Sequence, residues 1–208
     1  MLSIWVRFLL AYSVAFTTQA QPKLFPVDET QKDRAFASYV KQLKKVVAQR
    51  DTKALKKLTD EKVAVQEKPE LKGWAEFEKK WNPSDPKSRL WSTLEDMLDL
   101  GFIQEHPYTY LSPYVVWRFP NHLDPRAHWV VAWGDEPLRE APDARAKEIR
   151  RIAFEIVKRF REEGRWAEVE TEDGARGWMA LAALKSPTMP HAQFNYEKGR
   201  WLMVMLED

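Results

Sequence analysis

The sequence predicts an α+β protein, a helical N-terminal region followed by a β-rich C-terminal one. Three observations predict it. Apolar residues recur at three- and four-residue steps between Asp33 and Leu100. After Gly101, prolines, β-branched and aromatic residues take over. Two turns, Asp173-Gly174 and Lys198-Gly199, then separate short runs with strand composition. At 208 residues and 44% apolar content the chain has enough for one large core or two small ones. Its charges nearly balance at +2, so no global field draws it to nucleic acid or anionic lipid.

Residues 1–20 carry one basic residue, Arg7, then the apolar run Phe8–Phe16, then small and polar residues ending at Ala20. That is the anatomy of a secretory signal peptide cleaved after Ala20. The run falls short of the ~20 apolar residues of a membrane span, so no span is expected once the peptide is removed. The expected location is exported, periplasmic or secreted. The chain has no cysteine, which excludes a thiol-linked lipid anchor, disulfides and thiolate metal sites. Residues 21–32, broken by Pro22 and Pro26, read as a flexible leader.

Residues 33–125 form the expected helical region. Phe36, Tyr39, Val40, Leu43, Val46 and Val47 make one apolar stripe, with Lys41, Lys44 and Lys45 on a solvated face. Asp51-Thr52 ends that helix and caps a short second one bearing Ala54, Leu55 and Leu58. Residues 73–81 and 88–100 predict two more, with Trp74, Phe77 and Trp81 on one core seam and Leu90 or Trp91, Leu94 and Met97 or Leu98 on the other. Ser88 is a cap, and Gly101 a closing residue. Residues 106–119 favour extended chain, and His128–Trp133 a strand.

Residues 138–184 are ambiguous in their middle. Ile149, Ile152, Ala153, Ile156, Val157 and Phe160 satisfy a helical period, yet the following Trp166–Thr171 run, the Asp173-Gly174 turn with both central residues at positive φ, and Gly177-Trp178-Met179 predict a hairpin needing further strands nearby. Short strands over 149–160, separated by a bend, satisfy that need as well as a helix satisfies the period.

The run Leu138-Arg139-Glu140-Ala141-Pro142, the pair Ile149 and Ile152, Trp166 with Val169, Asp173-Gly174, and Gly177-Trp178-Met179 occur in the order and spacing of bacterial SH3-like domains, which residues 126–186 resemble. Many members have a glycine opening the third strand, where this chain has Phe154-Glu155. The resemblance implies a small β-barrel and strands over 149–160. The flanks are similar to a group of exported bacterial proteins in which a helical region precedes such a domain. There a Ser-Pro, here Ser186-Pro187, leads to an aromatic hairpin, here within residues 187–208. That hairpin sets Phe194 and Tyr196 opposite Trp201 and Met203, and its natural partner core is residues 33–119.

No phosphate loop, nucleophile elbow or His-Glu-x-x-His motif is present, so no catalytic residue is assigned. The four histidines include His122 and His128, whose spacing does not suit one metal-binding face. No metal or other cofactor is assigned. The SH3-like resemblance implies a shallow aromatic groove for an extended peptide. Its candidate ligand residues are Trp133, Arg139, Trp166, Arg176 and Trp178, with Trp166 and Trp178 also read as anchors of the barrel core. The expected function is a non-catalytic envelope binding module whose partner is a protein or a peptidoglycan peptide, not nucleic acid. The alternative is a cell-wall hydrolase that the SH3-like domain targets.

Overall fold

The computed structural model describes residues 23–66 and 72–208. The expected signal peptide therefore lies outside the described residues. Helices α1 (Arg34–Gln49), α2 (Thr52–Lys57), α3 (Trp74–Trp81) and α4 (Arg89–Asp99) form where the apolar periods place them. Asp33, Asp51 and Ser88 cap three of them, each side chain accepting from a backbone N–H at Phe36, Ala54 and Leu90. The six stripe residues of α1 are all buried.

The first region is not purely helical. It contributes β1 (Thr59–Ala64), β2 (Ile103–His106) and β3 (Thr109–Ser112), and Tyr114–Trp117, expected to be extended, forms a helical turn, α5. The hairpin β11 (His191–Glu197) and β12 (Arg200–Glu207) completes a five-stranded sheet ordered β1-β12-β11-β3-β2, in which β1 runs parallel to β12. Phe194 faces Met203 and Tyr196 faces Trp201 across the hairpin. Phe36 of α1 stacks on Tyr110 at 3.8 Å between ring centroids and meets Trp201 edge-on at 4.8 Å, so helix and sheet share one core.

The second sheet comprises β4 (His128–Val131), β5 (Glu136–Arg139), β6 (Glu148–Ile152), β7 (Ile156–Glu163), β8 (Trp166–Glu170), β9 (Arg176–Ala180) and β10 (Leu184–Lys185), in the order β10-β4-β7-β8-β9-β5-β6. Residues 149–160 are thus two strands, not a helix. Between them Phe154 takes φ 58, the left-handed conformation a glycine adopts more cheaply, and its ring packs on Phe25 at 5.6 Å. A cluster of Val131, Leu138, Ile152, Val157, Ala167, Val169, Met179 and Leu184 draws on all seven strands. Edge strands can meet in one cluster only if the sheet curls around it.

Among the described residues no ladder joins β6 to β10, so neither sheet closes, and the small closed barrel expected from the sequence is here an open, curled sheet. The Asp173-Gly174 turn also differs from expectation. Gly174 alone takes positive φ (84°), and the loop is widened by Thr171 N–H donating to Ala175 O; the two-residue turn with both φ positive is Lys198-Gly199 (52° and 80°).

Residues 23–32, expected as a flexible leader, run as a strap between the two sheets. Leu24 N–H donates to Phe154 O at 2.7 Å, and Glu29 N–H to Phe102 O at 2.8 Å. A third cluster joins Leu100, Ile103, Tyr114 and Val115 to Val130, Ala132 and Ile156, with Leu24 and Val27 of the strap against it. No helix among the described residues is long and apolar enough to cross a membrane.

Candidate functional site

Alternation along β8 and β9 sorts their side chains. Ala167 and Val169 pair with Met179 and Gly177 on the inner face, which leaves Trp166, Glu168 and Trp178 on the outer one. Neither indole belongs to the inner cluster, contrary to the expectation that both anchor it. Trp178 is only 6% exposed, and the Arg161 guanidinium lies over its ring at 5.0 Å. Trp166, at the strand's beginning, is half-buried and forms one wall of a groove.

That groove has a volume of about 690 Å³. Its walls are residues 142–144 of the β5–β6 loop, residues 164–166 at the β7–β8 turn, and residues 180–182 where a 3-10 turn follows β9. Gly164 takes φ 58, which lets β7 turn directly into Arg165 and Trp166. The opposite loop is held from below. Arg139 Nη1 donates to Ala146 O at 2.9 Å, while Asp143 Oδ1 accepts from Arg145 N–H at 2.8 Å. The groove is lined chiefly by Pro142, Ala144, Trp166, Ala180, Leu181 and Ala182, with Asp143 and Arg165 as its charged members.

Of the five residues singled out from the sequence, only Trp166 lines this groove. Arg139 shapes the loop through its bond to Ala146. Arg176 lies on the outer face, its guanidinium 4.1 Å from the Phe160 ring centroid and its Nε 3.0 Å from Glu168 Oε1. Glu168 also accepts from Arg161 Nε at 2.8 Å, and these two bonds hold its carboxyl below the usual range. Trp178 is buried with the Arg161 guanidinium over its ring, while Trp133 is 38% exposed beyond the end of β4 and does not line the groove. Sequence reasoning missed Ala144, Gly164, Arg165 and residues 180–182. Small residues carry no ligand-binding signature of their own, and only the fold brings these three segments together.

His122 and His128 reach one cleft of about 370 Å³ with Glu170 and Glu172. Among the described residues, however, no three His, Asp or Glu side chains are grouped to hold a metal ion. Comparison of the chain with protein-family models, curated proteins and solved structures finds no match.

Proposed function

We propose that this protein is an exported, non-catalytic binding module of the bacterial envelope, whose second sheet is an SH3-like unit that takes an extended peptide in the Trp166 groove. The observation that carries the reading is the groove's construction. A half-buried indole, a proline-containing loop and a 3-10 turn converge on a mostly apolar surface flanked by one acid and one base. Such a surface suits a peptide lying flat on the ring, with its backbone bonded to the loop edges. The volume falls within the ~300–1,000 Å³ range of specific ligand sites. The strand order and the 3-10 turn after β9 support the SH3-like assignment, and an apolar run ahead of Ala20 supports export.

In this reading the partner is a peptide of the cell wall. Incubation with purified peptidoglycan tests it. The protein should be retained on the insoluble wall without releasing soluble fragments, and Trp166→Ala should abolish retention. Released fragments would establish a hydrolase instead, and equal retention of Trp166→Ala would remove the groove from the account.

A further inference from the structure

A second cleft lies in the other half of the molecule, between α1, the end of α2 and the β11–β12 turn. It has a volume of about 490 Å³, and its wall residues include Gln42, Lys57, Tyr196, Arg200 and Trp201. Two features set its chemistry. First, its lining carries two cations and no carboxylate, although acids and bases nearly balance in the chain as a whole. Among the described residues neither Lys57 nor Arg200 makes an ion pair. The carboxylates of the adjoining cleft, which shares Arg200, are engaged elsewhere: Asp60 Oδ1 accepts from Lys62 N–H at 2.7 Å, and Glu61 lies 3.3 Å from Lys198 Nζ. Uncompensated cations in a concave site favour an anion.

Second, the wall is aromatic and still open. Tyr196 is 40% exposed, and its ring lies 5.5 Å from Trp201 and 6.2 Å from Tyr108, itself 66% exposed. The indole N–H of Trp201 is buried without an acceptor. Gln42 adds an amide able to donate and accept.

We infer that this cleft binds an anionic sugar, a monosaccharide unit carrying a carboxylate or phosphate. The anion sits between Lys57 and Arg200, and the ring lies on Tyr196 with its hydroxyls toward Gln42. A sugar fits better than a bare anion because flat aromatic surface and a neutral amide contribute little to inorganic phosphate. The site is separate from the Trp166 groove and does not depend on it.

The test titrates the full chain with glucuronate and glucose 6-phosphate, and in parallel with glucose, inorganic phosphate and adenosine monophosphate, following the Trp201 indole N–H resonance assigned by Trp201→Phe. At least one sugar anion should move that resonance and bind about tenfold or more tightly than glucose and phosphate. A response to glucuronate alone assigns the anion as carboxylate, and to glucose 6-phosphate alone as phosphate. The paired substitution Lys57→Gln and Arg200→Gln should weaken binding about tenfold, and Tyr196→Ala should abolish the preference over phosphate. Equal binding of glucose or phosphate, tighter binding of adenosine monophosphate, indifference to the paired substitution, or no response to either sugar anion would overturn the assignment.

Discussion

Gly177 shows how one residue fixes the geometry on which the groove depends. A Cβ at that position would lie 2.6 Å from Arg139 O and 2.9 Å from Leu138 Cγ, so β9 can cross β5 this closely only with glycine. Arg139 and Trp178 pair in register at the crossing, and Arg139 in turn holds the loop that forms one wall of the groove. Gly177→Ala should therefore destabilise the protein by about 1–3 kcal/mol, read as a lower urea midpoint, because backbone must move to admit the methyl group. An unchanged midpoint would show that the crossing is slack.

At the scale of elements, the closing hairpin is structurally part of the first sheet. β11 and β12 lie at its centre, with β3 on one side and β1 on the other, and Trp201 packs against Phe36 and Tyr110. Trp201→Ala should cost about 3–5 kcal/mol in denaturant unfolding. A loss below about 1 kcal/mol would mean that the hairpin is peripheral. Helices α1 to α4 were legible in the sequence because each carries a one-sided apolar stripe, reinforced in α1, α2 and α4 by an Asp or Ser cap, whereas the single turn α5 is too short to show a period. β1 was not legible, since its partner β12 lies far away in sequence and nothing local announces a parallel pairing. Strands β6 and β7 were expected from the resemblance to SH3-like domains, although periodicity alone left them open to a helix. Ile149, Ile152, Ile156 and Phe160 fit the helical period, and the bend between the strands falls on Phe154, where no glycine marks it. Of the groove, Trp166 was visible because an indole is conspicuous, whereas Ala180–Ala182 gain their role only from being folded beside it.

For the molecule as a whole, the strap and the third apolar cluster join the two halves. Gly101 accommodates the strap, since a Cβ there would lie 2.4 Å from Val27 O. Glu29 fastens it, accepting from Lys32 Nζ at 2.7 Å and from Gln104 N–H at 2.8 Å. The Lys32 and Gln104 bonds hold the Glu29 carboxyl below its ordinary value of 4.5. A carboxyl depressed on folding adds stability that is present above its unfolded value and lost as pH falls through the folded one. Glu29→Gln should therefore lower the melting temperature at neutral pH and flatten its decline below about pH 4.5. A parallel curve, offset but equally steep, would show that this carboxylate does not fasten the strap.

Peptide binding in the groove is tested by titrating the isotope-labelled protein with a soluble peptide of wall-stem composition, followed by amide and indole resonances. A peptide seated in the Trp166 groove should shift residues 142–144, 164–166 and 180–182, with the Trp166 indole among the largest changes. A spectrum unchanged at saturating peptide, or shifts centred away from those three segments, would contradict it.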